Sequence, residues 1–232
     1  MTDAFALVLR VHIVAAVLAT VTFWIPIAAR KGGRLHVRSG KLYLLLLLVT
    51  VVTALALTGL SFVYEDRARP AGTGMPLDVV ERDRAAYRLL LSLLAALGVV
   101  TLTAAISGMR ALKLGRTTRG VEAAWHGVLA VVGVSLAGGG VSQGHLPAIV
   151  VGLAFAAASA FGFAAARRTA PAARLPDHAC GLVISGIGLH STVAVVLANR
   201  LVPDFFHGPL GVVVWALPTL IGVPFLFLLR RL

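Results

Sequence analysis

The chain has 232 residues, 59% of them hydrophobic and only 13% charged, and its 21 Lys and Arg outnumber 9 Asp and Glu to give a net charge of +12. Soluble domains run near about 45–50% apolar and about 25% charged, so an ordinary globular domain is excluded, and intrinsic disorder more firmly still. A disulfide framework is excluded too, because Cys180 is the only cysteine; what remains is a polytopic membrane protein.

A bilayer core about 30 Å thick takes roughly 20 apolar residues of helix to cross. Seven apolar runs meet that length, and their near-continuous hydrophobicity predicts an all-α transmembrane bundle rather than barrel strands. The first run begins between Ala4 and Val11, ends at Ala29, and carries Arg10 and His12 in its outer part. Arg10 is placed to snorkel to the outer headgroups. The basic cluster follows this run instead of preceding it, which predicts a retained helix and not a cleaved signal peptide. The next run covers 42–63, after which 64–87 is the longest hydrophilic stretch. Within it, Arg67 to Pro76 reads as breaker-rich loop. Residues 77–87 mix apolar and charged side chains, as a short amphipathic helix on the outer surface would.

The remaining runs are 86–109, 121–140, 146–166, 179–199 and 209–229. His126 lies in the fourth, which is expected to end on a break at Gly138-Gly-Gly140. The fifth is built of small residues, with Gly152, Ala156, Ala160 and Ala164 on one face, and is expected in the middle of the bundle. His190 sits near the centre of the sixth, and Pro218 and Pro224 are expected to kink the seventh. Trp24, Tyr43 and Trp215 are candidates for the interfacial aromatic belt.

Charge placement sets the expected topology. The first, third and fifth connections and the C-terminus carry fourteen of the 21 basic residues, whereas the second balances its arginines with acids and the fourth has none. By the positive-inside bias these belong to the cytoplasm, so the N-terminus is predicted outside and the C-terminus inside the inner membrane. The same bias accounts for the charge without nucleic acid, the partner being the lipid bilayer and its anionic headgroups.

No Asp, Glu, Lys or Arg lies in the middle third of any run, which argues against a proton-coupled pump. Histidines stand out instead: His12, His126 and His190 within the runs, His36 and His178 at the cytoplasmic boundary, His145 and His207 at the outer one. Neutral imidazole is a common ligand to haem iron and transition metals. Two levels of ligands are therefore conceivable, His12 with His190 outside and His126 with His36 or His178 inside. The competing reading makes these histidines helix-to-helix hydrogen-bonding residues. His178 and His190 are twelve residues apart and roughly 120° off one helical face, which argues against two stacked haems. The loop Lys31-Gly32-Gly33-Arg34-Leu-His36-Val-Arg38 is the most distinctive segment, and its glycines and cations suit an anionic headgroup or phosphate, or else a tight basic hairpin.

A histidine early in the first helix followed by Lys-Gly-Gly-x-x-His-x-x-x-Gly-x-x-Tyr resembles a family of bacterial multi-pass membrane proteins of unknown function. The matching residues are His12, Lys31, Gly32, Gly33, His36, Gly40 and Tyr43, with His178, Asn199, Pro203, Trp215 to Pro218, and Ile221, Gly222 and Pro224 towards the C-terminus. The likeness covers roughly residues 8–63 and 176–231. It implies that His12, His36 and His178 share one pattern to which His190 does not belong, shifting weight to His36, His126 and His178. It implies no chemistry. The expected function is histidine-held haem b or another metal centre for electron transfer. The alternatives are an accessory or assembly subunit with a membrane-protein partner or as a homo-oligomer, and a small transporter or lipid-binding protein. No His-Glu-x-x-His or Gly-x-Ser-x-Gly motif marks a hydrolase.

Overall fold

The computed structural model describes residues 2–63, 77–114, 119–166, 174–201 and 209–229. Among them it is all-helical, with α1 (Thr2–Ala28), α2 (Arg34–Val63), α3 (Leu77–Leu114), α4 (Arg119–Gln143), α5 (Leu146–Ala166), α6 (Arg174–Leu201) and α7 (Pro209–Leu229). Five of these, α1, α2, α3, α4 and α6, contain segments long and apolar enough to cross a membrane. The chain divides into two compact units, Met1–Leu102 and Thr103–Leu232.

In the first unit, α1 and α2 form an antiparallel hairpin. The buried side of α1 is the stripe Ala15, Ala19, Thr22, Phe23 and Pro26, at the spacing of one helical face, and it meets Ser39, Tyr43, Leu47 and Val51 of α2. Around the rest of α1, Leu7, Val14, Val17, Val21 and Trp24 point outward. So large an apolar perimeter on a helix is stable in hydrocarbon and would be a liability in water. Tyr43 is not the interfacial aromatic expected from the sequence: it is 1% exposed, with its ring 5.5 Å from that of Phe23. Trp24, by contrast, faces outward. In α3, Leu89, Leu93, Leu97 and Thr101 are buried at four-residue spacing, and Gly98 lies against Val51. Buried hydroxyls fold back on their own helices, as in Thr22 to Leu18, Ser39 to Leu35, Thr50 to Leu46 and Thr101 to Leu97, so no water is needed to satisfy them.

In the second unit, α4 pairs with α5, α6 with α7, and α5 also touches α7. The α4–α5 contact is backbone on backbone. A Cβ on Gly152 would stand 2.5 Å from the Ala137 nitrogen, and one on Gly133 would stand 2.6 Å from the Ala156 nitrogen. The small residues expected to let α5 approach a neighbour do so at Gly152 and Ala156, whereas Ala160 is exposed. Gly138 to Gly140 is no break: α4 continues to Gln143, and Gly140 is where the chain crowds Ile149. The turn then closes through Gly144 at φ +64, with His145 N–H donating to the Gly140 carbonyl and Gly144 N–H to Val141, the paired bonds of a Schellman C-cap. α6 meets α3 at Gly181 and Gly108, again nearly at backbone contact, and Gly222 of α7 packs on Ile187. α7 remains helical through Pro218 and Pro224, and Trp215 is buried there.

The largest departures from the expected element boundaries are at the starts of α3 and α2. Residues 77–87 are the first turns of α3 and not a separate surface helix. α2 begins at Arg34, eight residues before its apolar run, because Gly33 accepts the Val37 N–H and starts the helix inside the basic segment.

Candidate functional site

The Lys-Gly-Gly segment closes the α1–α2 hairpin. Pro26 and Ile27 are in the last turn of α1, where carbonyls lack intrahelical donors. The Lys31 ammonium donates to both, at 3.0 Å and 2.6 Å. The His36 imidazole reaches back from α2 and donates from Nδ1 to the Pro26 carbonyl at 2.9 Å. A cation on the negative end of a helix is favourable in its own right. Gly32 takes a left-handed φ of +75, and a Cβ at Gly33 would crowd the Arg30 carbonyl at 3.0 Å. The turn itself thus accounts for glycine at both positions, through the left-handed backbone of Gly32 and the close approach at Gly33. Arg34 and Arg38 are exposed on the opening turns of α2.

His12 is held by the hairpin at its other end. Its Nδ1 lies 3.0 Å from the Thr50 carbonyl and 3.1 Å from the Thr53 hydroxyl. Thr53 gives its own hydrogen to the Val49 and Thr50 carbonyls, so towards His12 it accepts. A carbonyl can only accept, which assigns the proton to Nδ1 and leaves the lone pair of the neutral ring on Nε2. Among the described residues nothing engages His12 Nε2.

The same nitrogen is used by the other nominated histidines whose ring contacts are described. His178 Nδ1 donates to the Gly108 carbonyl at 3.0 Å, tying α6 to α3 where Gly181 meets Gly108. His190 Nδ1 donates to the Gly186 carbonyl of its own helix at 2.7 Å. His126 is half-buried on α4, and its backbone carbonyl accepts the Ser159 hydroxyl across to α5. His145, between α4 and α5, is 3% exposed and opens α5, accepting the Ala148 N–H at its carbonyl and, more weakly, at Nδ1. His207 and Pro203 lie outside the described residues.

Along their own helices these histidines are well separated. Fourteen residues of α1 separate His12 from Pro26, the contact of His36, about 21 Å along a helix. His178 and His190 are twelve residues apart on α6, about 18 Å. Among the described residues no three His, Cys, Asp or Glu side chains converge as a metal-ion site. His12, His36, His178 and His190 are each oriented by a backbone carbonyl. Sequence reasoning singled out these residues as polar groups in an apolar background, but missed Thr50 and Thr53, whose partnership with His12 depends on the register of the hairpin. Comparison with family models, curated proteins and solved structures returned no match.

Proposed function

We propose that the protein is a seven-span inner-membrane protein of bacterial type, N-terminus outside and C-terminus cytoplasmic, that holds a haem of b type or another transition-metal centre on histidine Nε2 for electron transfer. α5 and α7, each 21 residues long and thus about 31 Å, complete the seven crossings. The observation that carries the reading is His12. A ligand histidine characteristically donates its other ring N–H to a carbonyl, which fixes tautomer and orientation and raises the basicity of the ligating nitrogen. His12 has that arrangement, with Thr50 and Thr53 as the orienting partners. Of such a group's ligands the hairpin would supply one neutral imidazole nitrogen, His12 Nε2. The first unit contains only His12 and His36, at opposite ends of the hairpin, so within it His12 alone would hold such a group at its end.

When bound, such a group supplies one-electron redox chemistry. The chain's own residues orient the ring and surround it with low-dielectric helix. On the cytoplasmic side, Arg34 and Arg38 meet anionic headgroups, while Lys31 is occupied by the carbonyls of α1. Kinship with the multi-pass family that the hairpin motif resembles is part of the same proposal.

A second reading has its own support. His12, His36 and His178 each bond a carbonyl of another helix, as clamps in a non-catalytic membrane subunit would. The absorption spectrum of protein purified from cells fed a haem precursor separates the two. Under the first reading a Soret band is present and is lost in His12→Ala; under the second the protein is colourless and His12→Ala changes only its melting temperature.

A further inference from the structure

We propose that the flank of the α1–α2 hairpin is a binding site for one phospholipid, whose phosphate is taken by Arg10 and whose acyl chain lies in the groove below it. The groove has a volume of about 320 Å³ and is lined by Arg10, Val11, Val14, Ala15, Leu18 and Leu46. Apart from the arginine its walls are aliphatic. It lies beside the buried stripe of α1, on a different face from His12, so it is independent of any metal at that histidine.

Three observations identify the occupant. The first is height. Arg10 stands eighteen residues from the end of α1 at Ala28, about 27 Å of helix. With the basic turn after α1 at one surface of a core about 30 Å thick, Arg10 lies close to the opposite surface, where the phosphates of that leaflet are. The second is charge. The Arg10 side chain is exposed, and among the described residues no carboxylate or carbonyl engages it. A guanidinium at the edge of hydrocarbon is costly unless it pairs, and a phosphate accepts its planar fork of donors. The third is direction. From Arg10 to Leu18 the lining runs eight residues down α1, about 12 Å towards the bilayer centre. That is most of one leaflet, the path of an acyl chain hanging from a bound phosphate. Leu46 continues the wall from α2.

The test is native mass spectrometry of the full chain in detergent, delipidated and then titrated with phosphatidylglycerol or phosphatidylethanolamine. Diacylglycerol and inorganic phosphate supply the apolar and anionic halves alone. The expected result is one phospholipid adduct per chain, with Kd raised roughly tenfold or more in Arg10→Gln, the loss of a charge-assisted bond. Arg10→Lys retains binding within a few-fold. Val14→Phe fills the groove from its outward face and weakens binding while the arginine is intact. Diacylglycerol binds no better than phospholipid binds to Arg10→Gln, and inorganic phosphate does not compete. Gel filtration and melting temperature confirm that each variant is folded. Unchanged phospholipid binding in both Arg10→Gln and Val14→Phe overturns the proposal. So does competition by inorganic phosphate, or a dimer that Val14→Phe dissociates, since the groove would then belong to a free anion or a second copy.

Discussion

The most discriminating packing prediction concerns two glycines fourteen positions apart. At Gly152 an added Cβ would lie 2.5 Å from the Ala137 nitrogen, 2.6 Å from the Gly133 carbonyl oxygen and 3.0 Å from the Ala137 Cα. All three are backbone atoms on α4, so no side chain can swing aside. Restoring ordinary contact near 3.4 Å requires α4 and α5 to part by about 1 Å, and a gap of that size forfeits a quarter to a half of each dispersion contact along the seam. Overpacking of this kind costs about 1–3 kcal/mol. At Gly138 a Cβ meets nothing within 4 Å, and Gly→Ala in a helix interior is worth about 0.5–1 kcal/mol of added stability. Gly152→Ala is therefore expected to destabilise and Gly138→Ala to stabilise, a separation of about 1.5–4 kcal/mol between two chemically identical changes. Reversible unfolding in mixed micelles, followed by circular dichroism, reads the difference directly. Equal shifts in the two variants, or a more stable Gly152→Ala, would refute backbone contact between α4 and α5.

Further outcomes follow from the hairpin and the charge map. Lys31→Met and His36→Ala each remove a donor from the end of α1 and are expected to lower stability by about 0.5–2 kcal/mol; His36→Gln, which keeps a donor, should restore part of it, and unchanged melting of both variants would remove the capping role. His178→Ala deletes one interhelical bond and should cost about 0.6–1.7 kcal/mol, measured by the same unfolding assay, with a larger loss pointing to a second duty for that ring. In a Cys180→Ser background, a cysteine at the exposed Arg34 should react with a membrane-impermeant maleimide only after the cytoplasmic side is opened, and one at the exposed Leu146 in intact spheroplasts; the reverse pattern would invert the topology.

Seven helices are legible in the sequence because hydrocarbon demands long uninterrupted apolar runs, and α5 and α7 begin and end where their runs do. Elsewhere the helices outrun the hydropathy. Charged side chains do not prevent helix, so α2 starts among its arginines and α3 absorbs the amphipathic stretch before it. Tyr43 shows the limit of composition: an aromatic near a span end reads as interfacial until the neighbouring helix is known. The candidate residues were legible as polar exceptions, but their roles were not. Whether Lys31 faces an anion or a carbonyl, and which nitrogen of His12 carries the proton, depends on which atoms the turn and the hairpin register bring opposite.

The central claim is that His12 presents Nε2 to a redox-active metal centre. It is tested most directly by the visible spectrum and elemental analysis of the detergent-purified wild-type protein beside His12→Ala and Thr53→Val. A Soret band or a stoichiometric transition metal is expected in wild type and its loss in His12→Ala. Thr53→Val should retain the centre with a shifted midpoint potential, because the Thr50 carbonyl still orients the ring. A colourless, metal-free wild-type protein, or a centre that survives His12→Ala undiminished, would contradict the account.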